Sequence, residues 1–255
     1  MKAALILTTC RKPATTNAIL TELQPLVDDG HILLHSEQDA ACAKENGWDA
    51  VVEPSQHLTV WLNRCVKAVD ADVYVWVHDD MVFYDGWLDN MLAFMEKHPD
   101  VWYAAPHNWH NPARPQNYGD PFDDSYWLTN RVAVDADEVQ QYMVDHVDEY
   151  EVGSALPACI RREVFEELGY YDERFILIGG YEDLDMQRRV AQHGKTVAIY
   201  HGSVAWHRGM GTRDPRDPEG LMNKNVFKLK HGILWDKDIL PSQRDIMEKA
   251  GNAGD

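Results

Sequence analysis

The chain has no long apolar run. Nothing in it approaches the roughly 18–20 consecutive apolar residues that a bilayer-spanning helix needs. The apolar opening, Ala3-Ala4-Leu5-Ile6-Leu7, is short, and Arg11 and Lys12 follow it closely; it reads as a core strand rather than a signal peptide. Cysteine is scarce. Cys10, Cys42, Cys65 and Cys159 are scattered without a Cys-x-x-Cys spacing, which speaks against a structural zinc site and for small buried residues in a reducing, cytoplasmic compartment. There is no Gly-x-Gly-x-x-Gly fingerprint, which argues against NAD or FAD. Basic residues are few: 24 Lys and Arg stand against 42 Asp and Glu, for a net charge of −18. Such a surface repels nucleic acid and anionic lipid at long range but permits a local basic pocket. A high-salt habitat and simple solubility both account for the acidity, and composition does not choose between them.

What the chain does have is enough material for a core. Its 255 residues, 45% of them apolar, include nine Trp. That suits a folded α/β domain with insertions, or two small domains. Strand-like runs at Ala3–Thr9, His31–His35, Ala50–Val52, Val73–Val77, Val101–Ala105 and Thr196–Tyr200 alternate with helical spacings. The helices are expected at Asn17–Leu26, Thr59–Val69, Asp85–Lys97, Ala136–Val147, Arg161–Leu168, Glu182–Gln192 and Glu219–Lys230. Alternation of this kind predicts a Rossmann-like, largely parallel sheet with right-handed crossovers. Pro106–Asn130 is rich in Pro, Asn, Asp and aromatic residues and reads as a long loop.

Three clusters carry chemistry. The first is Val73-Tyr74-Val75-Trp76-Val77-His78-Asp79-Asp80, a buried strand that ends in acid. Ligands of open α/β sheets bind beyond the carboxyl ends of strands, and adjacent carboxylates there attract a hard divalent cation. The plainer alternative is the start of a surface loop. The second is Gly179-Gly180-Tyr181-Glu182-Asp183-Leu184-Asp185, a glycine turn before an acidic helix start. Acid at a helix N-terminus is favourable by itself, and Asp185 with Arg188 or Arg189 reads as an ion pair along the helix. Glu182 or Asp183, presented to a cleft, is equally suited to be a general base. The third is Val204-Ala205-Trp206-His207-Arg208-Gly209, where a neutral imidazole suits an extra metal ligand.

In this order the three clusters resemble the family-2 glycosyltransferases of the GT-A fold, from about Ala3 to about His231. Ala3–Pro13 is similar to the family's opening strand and turn, with Cys10 where Asn is usual. Val73–Met81 is similar to the strand carrying the DxD-type motif, with His78 in place of the first Asp and Asp80 at the metal-binding one. Arg161, Arg162, Phe165, Gly169, Asp172 and Glu173 match a further segment. Glu182, Asp183, Asp185, Arg188 and Gly194 match the family's acidic helix. His207 corresponds to a late metal-site His, and Asn225, Lys228, Lys230 and Gly232 resemble a closing segment.

The resemblance implies an α/β GT-A fold: a mixed, mainly parallel sheet flanked by helices on both faces. It implies a single domain over 1–235, with a nucleotide-sugar half at 1–105, an acceptor half at 106–235 and a tail at 236–255. It implies inverting transfer of a sugar from a UDP- or GDP-sugar to an acceptor hydroxyl with Mn²⁺ or Mg²⁺. Asp183 would be the base, with Glu182 as the fallback, and Asp80 and His207 the metal ligands. Thr8, Thr9, Arg11, Glu37, Asn63, His78, Asp79 and Asp80 would hold the donor. Trp109 and Tyr181 would stack on the acceptor, and Trp127 is assigned to packing. Arg208 and Arg213 suit phosphate contact or plain exposed charge equally. The acceptor is open among polysaccharide, lipid-linked sugar, protein and modified nucleic acid, the last disfavoured by charge. Two other functions compete: a non-catalytic sugar-nucleotide or glycan-binding module on the same fold, and a nucleotidyltransferase. The second would call for a glycine-rich, basic phosphate loop near the N-terminus, which Arg11-Lys12 without glycine does not supply.

Overall fold

The computed structural model describes residues 1–8, 57–78, 81–108, 136–153, 157–176, 180–207 and 218–233. In chain order its strands are β1 (Ala3–Thr8), β2 (Val73–His78), β3 (Met81–Phe83), β4 (Val101–Asn108), β5 (Tyr150–Val152), β6 (Ala158–Arg161) and β7 (Thr196–His207). The helices are α1 (Leu58–Ala68), α2 (Trp87–Lys97), α3 (Ala136–Asp145), α4 (Arg162–Leu168), α5 (Glu182–Gln192) and α6 (Pro218–His231).

The sheet runs β1-β2-β6-β4-β7-β3, with β5 also paired to β7. The long strands β1, β2, β4 and β7 all point one way. Short β6, β3 and β5 run against them. The result is the mixed, mainly parallel sheet that the alternating pattern predicts.

Alternation along the strands divides the core into two layers. Leu5, Leu7, Val73, Val75 and Val77 face α2, whose Trp87, Leu88, Met91, Phe94 and Met95 form the covering stripe. Ala4, Ile6, Tyr74 and Trp76 face the other way, onto Trp61, Leu62, Cys65 and Val66 of α1, Val164 and Phe165 of α4, and Met186 and Val190 of α5. Each fully buried large side chain contributes roughly 1.5–3 kcal/mol, so the two layers together fix the sheet between helices. Cys65 and Cys159 are free and buried, as their scatter suggests. Burial pushes the Cys159 thiol up to about 12, which makes it inert.

Several expectations are corrected at their edges. The loop expected from Pro106 begins later, because Pro106, His107 and Asn108 continue β4. The strand expected at Thr196–Tyr200 runs on to His207, across a register shift at which Pro106 pairs with Tyr200 and His107 with Val204. The helix expected from Asp85 starts at Trp87, after Gly86 at φ 79°. The one expected to reach Val147 stops at Asp145. Strands β3, β5 and β6 were not predicted: at three, three and four residues they are too short to show a period. The elements expected at Asn17–Leu26, His31–His35 and Ala50–Val52 lie outside the described residues. Among those described, no helix is long and apolar enough to cross a membrane.

Candidate active site at the carboxyl edge of the sheet

The parallel strands all deliver their carboxyl ends to one edge. Thr8 and His78 are ladder partners there, and Asn108 of β4 pairs with Ala205 of β7. Asp79 and Asp80 themselves lie outside the described residues, but the chain on both sides of them is placed. Residue 78 ends β2, and residue 81 opens β3. Met81 is the antiparallel partner of His207, and Cα atoms so paired lie about 4.5–5.5 Å apart. The strand that ends in acid and the strand that ends in histidine thus meet at one corner of the sheet.

Helix α5 supplies the other wall. It leads into β7 through a tight turn with Gly194 at φ 74°, so it runs antiparallel to β7. Its N-terminus therefore lies towards the carboxyl edge. The first turn carries Glu182, Asp183 and Asp185, and the N-cap residue, Tyr181, sits at φ 72° and ψ −9°. A left-handed conformation at a non-glycine residue costs roughly 1–2 kcal/mol and tends to mark functional sites. Here it is held from both sides. The Gly180 amide donates to the Glu182 carboxylate, and the Tyr181 ring packs 5.7 Å from that of Phe227 on α6.

The three carboxylates of this turn have different surroundings. Glu182 is buried and bonds back to its own turn. Asp185 is fully buried and accepts from Arg189 Nε at 3.0 Å, Lys230 Nζ at 2.9 Å and His231 Nε2 at 2.9 Å. Burial pushes the Asp185 carboxyl up, but the His231 hydrogen bond with Arg189 and Lys230 more than compensates, leaving it below its ordinary value. Of the two arginines considered for the ion pair, Arg189 makes it. Lys230 also reaches Asp172 at 3.0 Å. Arg174 bonding, with Lys230, outweighs partial burial and holds the Asp172 carboxyl well below the usual carboxylate range. Asp183 is half-buried.

Asn63 was expected in the donor pocket. The structure places it 2% exposed on α1. Its Nδ2 donates to the Tyr171 carbonyl at 2.9 Å and to Glu173 Oε1 at 3.0 Å, and its Oδ1 accepts from the Tyr171 amide at 2.9 Å. Its amide is engaged by the fold, where it fastens the turn carrying Tyr171. That phenol belongs to an aromatic row: Trp76 stands 6.0 Å from Tyr171 and 5.0 Å from the His78 ring. His78, in the position of the motif's first Asp, therefore continues the side of β2 that faces α5.

The structure thus gathers His78, Tyr181, Glu182 and Asp183, with the backbones of Thr8 and His207, around the carboxyl edge and the α5 N-terminus. Thr9, Arg11, Glu37, Asp79, Asp80 and Trp109 lie outside the described residues. Sequence reasoning missed Tyr103 and Tyr171, which are buried in the layer that packs with Met186 and Val190 of α5. Tyr171 lies inside the matched Gly169–Glu173 segment. Tyr103 is hidden in an apolar run that gives no signal.

No family model matches the chain, and a search of curated proteins finds no match. Solved structures do match. The mannosyltransferase PcManGT from Pyrobaculum calidifontis, solved with GDP-Man and Mn²⁺, aligns over 100% of this chain and 76% of its own at 14% identity and TM-score 0.57. S. aureus TarS 1–349 aligns over 99% and 71% at 11% identity and TM-score 0.60. Glucosyl-3-phosphoglycerate synthase from Mycobacterium tuberculosis, with Mn²⁺, UDP-glucose and phosphoglyceric acid, aligns over 92% and 81% at 16% identity and TM-score 0.54. At these identities the likeness is one of architecture, and the chain has the GT-A fold that it shares with these structures.

Proposed function

We propose that the protein is a metal-dependent inverting glycosyltransferase, moving a sugar from a nucleotide-diphosphate sugar to an acceptor hydroxyl. The observation that carries this reading is the Met81–His207 ladder pair. It brings the residue that follows Asp80 beside the residue that ends β7, at the carboxyl edge, below a helix N-terminus rich in acid. Similar architectures have been solved with GDP-Man and Mn²⁺ and with UDP-glucose and Mn²⁺.

The donor set fits a divalent cation: carboxylate oxygen from Asp80 and imidazole nitrogen from His207 suit Mn²⁺ or Mg²⁺. Such a cation supplies charge neutralisation for the departing diphosphate. The remaining work falls to the chain. Asp183 accepts the proton of the acceptor hydroxyl as that oxygen attacks the anomeric carbon, while the diphosphate leaves from the opposite face. Glu182, tied to the Gly180 amide, is committed to the turn, which favours Asp183 as the base. Thr8, Thr9, Arg11, Glu37, His78 and Asp79 hold the donor. Tyr181 and Trp109 border the acceptor, with residues 106–235 forming its half of the domain.

The test is a thermal-shift and hydrolysis screen of UDP- and GDP-sugars with and without Mn²⁺. Stabilisation by at least one nucleotide sugar that depends on the metal is the expected outcome. No binding of any nucleotide sugar under any metal condition would sink the reading.

A further inference from the structure

In the layer that packs against α5 lies a group of buried polar atoms that packing serves poorly. Tyr103 is 0% exposed, Tyr171 4% and Gln187 5%. Among the described residues, the Tyr171 hydroxyl finds no hydrogen-bond partner, and the Tyr103 hydroxyl and the Gln187 amide have at most each other. Each such group costs on the order of 1–3 kcal/mol if nothing serves it. Buried polar groups of native proteins are served, commonly by ordered water that makes about three hydrogen bonds.

The placement of these groups is built by the fold. A register irregularity in β4 sets Val101 against Thr196 but Tyr103 against Val197. Trp102 and Tyr103 therefore both face the α5 layer, while Val101 and Ala104 face α2; bulges re-aim side chains in this way. Tyr171 is clamped through its backbone amide and carbonyl by Asn63. Gln187 lies four residues beyond Asp183 on α5, on the same helix face. The carboxylates of Glu182 and Asp183 are within electrostatic reach of both phenols.

We propose that Tyr103, Tyr171 and Gln187 form a buried polar seat that, through bridging water, holds the Asp183 carboxylate ionised and oriented, making them positioning residues for the transfer. The proposal rests on Asp183 being the base. Burial, together with the nearby carboxylates, drives both phenols well above their ordinary range, so they keep their protons and remain donors. An anion that accepts such donors is stabilised in its charged form. The charged groups on the elements packed here include Glu182, Asp185, Arg188 and Arg189 of α5, Lys230 and His231 of α6 and His78 of β2. Glu182 is bonded to Gly180, and Asp185 is neutralised by Arg189 of α5 and by Lys230 and His231 of α6. The His78 ring of β2 lies 5.0 Å from that of Trp76.

The experiment is a ¹³C-carboxyl NMR titration of Asp183 in the full chain, comparing the natural sequence with Tyr103→Phe, Tyr171→Phe and the double variant. Each substitution deletes only a hydroxyl, so the fold is retained. In the double variant the Asp183 carboxyl is expected to titrate about half a unit to one unit higher. The acidic limb of the transfer-rate profile should move up by the same amount, with donor affinity unchanged. An Asp183 titration identical in all four proteins overturns the proposal. Persistence of transfer in Asp183→Asn would instead overturn the base assignment and leave the titration result standing, so the two failures are separable.

Discussion

The first turn of α5 holds chemically similar groups in opposite surroundings. Asp185 is fully buried and ringed by Arg189, Lys230 and His231. Asp183, two residues earlier, is half-buried, within electrostatic reach of two phenols that remain protonated. The same three-residue stretch thus holds one carboxylate spent on the fold and one that we propose as the base. The general lesson is that acidity at a helix start does not distinguish structure from catalysis; the neighbours contributed by distant elements do. Here those neighbours come from α6 for Asp185, and from β4 and the Tyr171 turn for Asp183.

The largest effect that would test this contrast is on rate. Asp183→Asn keeps shape and removes the proposed base, so transfer should fall by about 10²- to 10⁴-fold. Donor affinity and melting temperature should stay near those of the natural protein. Steady-state transfer beside calorimetric donor titration measures both, and a variant that melts early would place Asp183 with Asp185 as a structural group.

Asp185→Ala should do the reverse. Removing the anion leaves Lys230 and His231 half-buried or buried against α5 without their shared partner, which costs roughly 3–5 kcal/mol of stability. Urea denaturation reads this directly, and residual activity per folded molecule should be preserved. The network also gives an acid signature. Asp185 and Asp172 both have folded values below their unfolded ones, so both contribute stability that is complete above the ordinary carboxylate range. That stability is lost as pH falls from there through their depressed folded values. The melting temperature should accordingly drop on acidification below about pH 4, and the drop should be smaller in Asp185→Ala. Equal slopes in the two proteins would mean the network does not carry the acid sensitivity.

How much of this contrast was legible in the sequence differs between the two residues. The Asp185–Arg189 pair follows from helical spacing alone, because both partners are on α5. Lys230 and His231 lie some 45 positions away, and no local pattern points from one to the other. The α5 boundaries, Glu182–Gln192, were read correctly because a left-handed Tyr181 and a glycine turn close its two ends abruptly. The α/β order of the long elements was legible for the same reason, since their apolar periods are sustained. What stayed hidden is what needs tertiary context. Short β3 pairs Met81 with His207 and makes the corner of the site, yet three residues carry no period. Asn63 reads as a pocket residue by position, while only the folded turn shows its amide engaged by Tyr171 and Glu173. Tyr103 reads as one more core aromatic until the irregularity at Trp102 turns it towards α5.

The smallest expected effect sharpens the comparison from the exposed side. Lys97 Nζ and Asp148 Oδ1 form an ion pair at 2.9 Å, as short as the bonds around Asp185, but their side chains are 66% and 79% exposed. In water the Coulomb attraction at this distance is weak, and ordering two long side chains opposes it. Lys97→Ala should therefore change stability by less than about 0.5 kcal/mol, and added salt should erase what difference there is. The distances of the two sets of bonds are nearly the same, so distance cannot be what separates their energies. A loss at Lys97 comparable with that of Asp185→Ala in the same urea series would show that burial does not separate them either. The distinction between the two carboxylates of α5 would then have to rest on the number of partners alone.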